Sequence, residues 1–137
     1  MIVACDGASR GNPGPAGAGV QITDDDGVVL AEIAEALGET TNNIAEYTAV
    51  IRGLERAHEL GATRVLLRSD SQLLINQLTG LYRVRTPHLQ PLHRRVLELA
   101  AGFDSIAYEH VPRELNTEAD RLANRGVDDG LAARRDA

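Results

Sequence analysis

Two short apolar runs that each lead into an aspartate, with one long helical segment between them, constrain this chain more than any other feature. Ile2-Val3-Ala4-Cys5 runs into Asp6, and Arg64-Val65-Leu66-Leu67-Arg68-Ser69 runs into Asp70. A run that is apolar at every position reads as a strand covered on both faces. Between the two, Thr40-Thr41-Asn42-Asn43 offers side chains that cap a helix start, and helical spacing continues from about Ile44 to Leu60 before Gly61 ends it. A helix joining two strands is a crossover, and crossovers pair strands in parallel. Neighbouring strands lie about 4.8 Å apart, so Asp6 and Asp70, at two strand ends, would face each other on the edge where open sheets bind ligands.

The crossover helix adds a third acid. Its core stripe is Ile44, Tyr47, Ile51 and Leu54, and a flanking stripe of Ala49, Gly53 and Ala57 is small enough to approach the sheet closely on the side that carries Glu46. Glu46 falls in the first turn, where the helix dipole favours an anion. Gly53 costs about 0.5 to 1 kcal/mol relative to alanine in a helix interior, and close packing is the natural reason for it.

The remaining segments complete one α/β domain. Residues 18–23 and 28–33 flank Asp24-Asp25-Asp26-Gly27, an Asp-Gly turn that signals a hairpin, so the first three strands form an antiparallel meander. The aspartates of that turn point in divergent directions and lack calcium-loop spacing. After Asp70 come a short helix to Leu78, a basic connection, and a helix through Leu89, Leu92, Val96 and Leu99. Residues 106–111 supply a fifth strand, and Pro112-Arg113-Glu114 turns the chain into a last helix from Leu115 to about Arg125. The expectation is a domain over residues 1–127 and a flexible tail over 128–137. Its sheet has five strands, antiparallel for strands 1–3 and parallel for strands 1, 4 and 5, with helices on both faces.

Composition narrows the function. No apolar run reaches the roughly 18 residues of a membrane span, and Asp6 interrupts the first run too early for a signal-peptide core. A cytoplasmic monomer is expected. Cys5 is the only cysteine, which excludes an internal disulfide and a thiolate metal cluster. The net charge of −6 argues weakly against a nucleic-acid binder. All 14 basic residues are arginine, however, and the stretch Arg83 to Arg95 holds four of them, two histidines and no acid. Arginine forks suit phosphate. With three tyrosines, one phenylalanine and no tryptophan, a base-stacking platform is disfavoured.

Asp6, Glu46, Asp70 and, on the last helix, Asp120 thus have reasons to converge. Carboxylates sharing one site repel unless a counter-charge is present, and hard divalent ions with oxygen ligands supply it. Without cysteine or paired histidines in the set, magnesium or manganese suits it better than zinc.

These residues resemble the type 1 ribonucleases H. Asp6-Gly7 with Gly11-Asn12-Pro13-Gly14-Pro15, Thr40-Thr41-Asn42-Asn43 with Glu46, Ser69-Asp70-Ser71-Gln72, and Asn116 with Ala119-Asp120-Arg121-Leu122-Ala123 look like that family's four motifs in order. The resemblance covers residues 1 to about 127. It implies a ribonuclease H-like fold and an endonuclease that cleaves the RNA strand of an RNA/DNA hybrid with two Mg2+ ions, Mn2+ being a plausible substitute. By similarity, Asp6 would bridge both ions, Glu46 and Asp70 would hold the ion on the leaving-group side, and Asp120 the ion that activates water. Products would carry 5'-phosphate and 3'-hydroxyl ends. Gly11, Asn12, Asn43 and Gln72 would meet the RNA minor groove and its 2'-OH, and Thr41 and Asn42 a DNA-strand phosphate.

The chain also departs from the family. Many members carry a long basic protrusion with tryptophan, whereas this connection is short. Glu39 stands where some relatives have a basic residue, which weakens the case for a DNA-phosphate pocket. The family's flexible-loop histidine is missing from the short loop of residues 111–115, where Arg113, with Glu114 second, would assist product release. Two other readings stay open: a weakly active or inactive nucleic-acid-binding domain of the same fold, and a metal nuclease of that fold acting on DNA.

Overall fold

The chain alternates strands and helices as β1 (Ile2–Ser9), β2 (Gly14–Thr23), β3 (Val29–Thr40), α1 (Asn42–Glu59), β4 (Arg64–Ser69), α2 (Gln72–Leu78), α3 (Gln90–Ala101), β5 (Ser105–His110) and α4 (Thr117–Asp136), with a 3-10 turn at Arg113–Leu115. These come from a computed structural model that describes residues 1–136. The five strands form one sheet in the order β3-β2-β1-β4-β5. β1 is antiparallel to β2 and parallel to β4, β2 is antiparallel to β3, and β5 is parallel to β4. The expected mixed sheet is therefore present, with the strand that carries Asp6 at its centre.

The register is what places the acids. β1 and β4 pair from Ile2↔Leu66 to Ala4↔Arg68, and the same offset sets Asp6 level with Asp70. On its other side β1 continues paired with β2 as far as Ser9↔Ala16. Asp6 therefore lies inside β1 and not at its end, because the chain reverses only at Gly11, whose φ of +102° suits glycine, and the Arg10 N–H closes the turn on the Pro15 carbonyl at 2.8 Å. Gly14 and Pro15, which look like loop residues, open β2.

One face of the sheet holds the main core. Val3, Cys5, Val20, Ile22 and Leu67 are fully buried with Tyr47, Val50 and Leu54 of α1, and Val96 of α3 closes the layer. The alternate residues Ile2 and Ala4 are only half-buried, so β1 is not covered equally on its two faces. The second face is covered by α4, which packs on β1, β2 and β3. Toward β5, Arg68 and Glu109 pair at 2.9 Å.

Three boundaries differ from expectation. α1 begins at Asn42, with the Thr41 hydroxyl accepting the Ile44 N–H at 3.3 Å, which moves Glu46 into the second turn. β3 runs on to Thr40. α4 starts at Thr117, leaving Leu115 72% exposed, and continues to Asp136. Residues 128–136, expected as a flexible tail, are thus helical, while Ala137 lies outside the described residues. The helix persists because Gly126 lets its backbone rest on that of Glu35, Gly130 meets Ala36, and Arg134 pairs with Glu39 at 3.4 Å. Among the described residues no helix is long and apolar enough to cross a membrane.

Candidate active site

Where β1 parts from β4, Asp6, Glu46, Asp70 and Asp120 line one cleft of about 490 Å³ with Ser71, Asn42, Asn124 and Arg113. Each acid reaches it on a different element, and two glycine contacts bring those elements close enough. A Cβ on Gly7 would collide with the backbone of Ala45 and Glu46, and a Cβ on Gly19 with the backbone of Ala119 and Ala123. Bare backbone at residue 7 therefore sets Glu46 beside Asp6, and at residue 19, opposite Asp6 in the β1–β2 pair, it seats the turn of α4 that bears Asp120. Gly53 instead leaves room for the core side chains of Val3, Val20 and Cys5. Of these, only the stripe around Gly53 is evident in the sequence. The role of Gly19 shows only when β2 is seen to underlie α4.

Asn116 fastens the start of α4. It is 3% exposed, its Nδ2 donates to the Cys5 carbonyl at 3.0 Å, and its own carbonyl accepts the Asp120 N–H at 3.1 Å. The peptide before Asp6 is thereby held by the Asn116 side chain, and the first turn under Asp120 by the backbone carbonyl of the same residue.

Charge in the cleft is poorly balanced. Burial pushes the Asp6 carboxyl up to about 8, reinforced by the charge of Asp70, a side-chain hydrogen bond with Asp120, and the charges of Asp120 and Glu46. Glu46 is pushed up to about 7, mainly by burial and further by Asp70, against a hydrogen bond from Ser71 that favours its charged form. The cation beside them is Arg113, whose Nε lies 3.9 Å from Asp70 Oδ2 with its side chain 88% exposed. Among the described residues no group of three or more histidine, cysteine, aspartate or glutamate side chains stands close enough together to hold a metal ion. The donors are all carboxylate oxygens, and a hard divalent cation fits both their chemistry and their missing charge.

Of the other residues singled out in the sequence, Asn42 and Arg113 line the cleft, and Glu114 does not. Asn12 is exposed and its Oδ1 accepts the Asn42 N–H at 3.2 Å, which pins the turn containing Gly11 to the start of α1. Thr41 caps that helix, Asn43 is exposed, and Gln72 is exposed with its Nε2 on Asn76 Oδ1 at 2.9 Å. Histidines lie elsewhere: His58 stacks on Phe103 and His93 meets Tyr47 edge-on. Asn124 gave no signal at the sequence level apart from its position one turn after Asp120.

A family model described as Reverse transcriptase-like matches residues 4–126. The chain is 48% identical over 124 residues to a ribonuclease HI of Halobacterium salinarum, covering 90% of this chain and 62% of the relative. It is 39% identical over 142 residues to a ribonuclease H of Halorhodospira halophila, covering 93% and 92%. Against a bifunctional protein of Mycobacterium tuberculosis, 47% identical, it spans 35% of the relative's length. The ribonuclease H1 LC11, isolated from compost and solved in complex with an RNA/DNA hybrid, superposes with a TM-score of 0.90 at 41% identity over 95% of this chain and 98% of that one. With the family model covering most of the sequence and a ribonuclease H matched along nearly its whole length, the chain belongs to the ribonuclease H family.

Proposed function

We propose that this domain is a divalent-metal-dependent endonuclease that hydrolyses the RNA strand of RNA/DNA hybrids and leaves 5'-phosphate and 3'-hydroxyl ends. The observation that carries the reading is the convergence of Asp6, Glu46, Asp70 and Asp120 on one cleft in a chain of this family. These four would hold two Mg2+ ions between them, with Asp6, on the central strand, the acid that would serve both. Bound there, such ions supply positive charge for both the attacking and the leaving oxygen of an in-line displacement.

The chain's own residues then divide the remaining work. Ser71 lies in the cleft with Glu46 and favours its charged form, and its hydroxyl oxygen caps α2 by accepting the Leu74 N–H at 3.2 Å, so this neighbour of Glu46 is itself held. Asn12 has its oxygen engaged by Asn42, which leaves its amide N–H groups to donate toward a base edge or a 2'-OH. Gln72 has its amide engaged by Asn76, leaving its oxygen to accept. Thr41, whose hydroxyl oxygen caps α1, keeps a hydroxyl proton to donate, and Asn43 keeps an exposed amide. Arg113, on a short exposed turn beside Asp70, would meet a departing phosphate group and assist product release.

The test is cleavage of a hybrid labelled on its RNA strand, with Mg2+ present and RNA/RNA and DNA/DNA duplexes as controls. RNA-strand cleavage restricted to the hybrid, with 5'-phosphate ends, is expected. An intact RNA strand would overturn the enzymatic reading, and equal cleavage of DNA/DNA would reassign the substrate.

A further inference from the structure

Asp120 differs from the other three acids in that a side chain of its own helix is bonded to its carboxylate. One turn on, at the i+4 position where helical side chains meet, Asn124 donates through Nδ2 to the Asp120 carbonyl at 3.0 Å and to Asp120 Oδ1 at 3.3 Å. An amide can present either its oxygen or its nitrogen, and the wrong choice would set a carbonyl dipole against a carboxylate. The Asp120 carbonyl and carboxylate, acceptors both, call for the nitrogen, and Arg10 reinforces that choice from the other side. Its guanidinium donates to Asn124 Oδ1 at 3.5 Å and pairs with Asp128 Oδ1 at 2.7 Å, so the amide oxygen is drawn away from the cleft and its N–H groups are turned toward Asp120.

We infer that Asn124 is a positioning residue for Asp120 and that Arg10, anchored by Asp128, acts through it to hold the Asp120 carboxylate ready for a divalent ion. The inference rests on the functional reading above only in taking Asp120 as an ion-holding group. It also joins two parts of the cleft. Arg10 immediately precedes Gly11 and Asn12, so the turn proposed to meet the RNA and the carboxylate on α4 share one chain of hydrogen bonds.

Two effects of Arg10 have opposite signs, which makes the idea testable. A cation near the cleft repels a divalent ion, so removing it would tighten ion binding if Arg10 acted by its field alone. If Arg10 acts through Asn124, removing it weakens ion binding. Calorimetric titration of the full chain with Mn2+, without nucleic acid, reads this directly, alongside kcat and KM on the hybrid across a magnesium series. Asn124→Ala is expected to weaken Mn2+ binding roughly tenfold, the scale of outer-sphere groups on metal ligands. Its kcat should fall at low magnesium and recover at high magnesium, with KM for the hybrid unchanged. Arg10→Gln should act in the same direction to a smaller extent and add nothing in the Asn124→Ala background.

Unchanged Mn2+ affinity in Asn124→Ala would overturn the inference whether or not its melting temperature falls. Tighter binding in Arg10→Gln would refute the relay. A wild-type chain that binds Mn2+ but leaves hybrids intact would defeat the functional reading, while the calorimetry would still decide this one.

Discussion

The acidic cleft and the groove between α2 and α3 are built on opposite principles. The cleft, about 490 Å³, is assembled by backbone pressed against backbone at Gly7 and Gly19, with its acids partly buried. The groove, about 590 Å³, is formed by the connection after Gly80 together with α3, and its charges are Arg83 and Arg94. There Leu81 is 71% and Tyr82 52% exposed. Chemistry on a phosphodiester needs groups held to within a fraction of an ångström, which close packing supplies. Attraction of a phosphate backbone needs only net positive charge within a Debye length, and long exposed arginines are enough.

That contrast can be broken most sharply in the cleft. Asp70→Asn should reduce hybrid cleavage by more than the roughly 10- to 100-fold typical of outer-sphere changes, without lowering the melting temperature of the ion-free protein, since it relieves repulsion with Asp6. Parallel activity and thermal-melt measurements check it, and a marked drop in melting temperature would show Asp70 to be a structural residue.

Gly19→Ala comes next. The added methyl meets the backbone of Ala119 and Ala123 and not a side chain that could turn aside, so a loss of about 1 to 3 kcal/mol is expected in a urea unfolding curve, together with lost activity.

The pH dependence has a definite sign. Asp6 rises from an ordinary 3.8 to about 8 and Glu46 from 4.5 to about 7 on folding. The folded chain therefore binds more protons than the unfolded one between pH 4 and 8, and its stability falls as pH rises through that window. Thermal melts of the ion-free protein should drop from pH 5 to pH 8. Saturating Mg2+ should flatten the trend, because it replaces the missing counter-charge.

The smallest effects belong to the groove. Arg83→Ala and Arg94→Ala should each raise KM for the hybrid a few-fold, leave kcat in place, and reduce the salt slope of binding by about 1. If either instead lowers kcat as much as Asp70→Asn, the two regions are not separate in the way proposed.

Much of this was legible in the sequence because it depends on order and spacing. Two apolar runs around a helix fix a parallel pair, and Asp6, Asp70 and Glu46 follow. The boundaries that escaped were decided through space. β3 continues past Ile33 as an edge strand through Glu35 and Glu39, whose polarity reads locally as loop. Asp128-Asp129-Gly130 reads as a helix stop, yet α4 runs through it because Gly126 and Gly130 rest on β3. The arrangement of Asp128, Arg10 and Asn124 around Asp120 joins residues more than 100 positions apart, and no local pattern announces it.

The parting of β1 from β4 has a last consequence. Their pairing stops at Ala4↔Arg68 while β1 and β2 stay zipped to Ser9↔Ala16, so the sheet opens like a fork, with Asp6 just beyond its junction. The place of that fork is set by main-chain hydrogen bonding, to which carboxylate side chains contribute nothing. Exchanging Asp6 or Asp70 for its amide should accordingly leave the gap open, so that the same scaffold could present a different set of polar groups at an unchanged address.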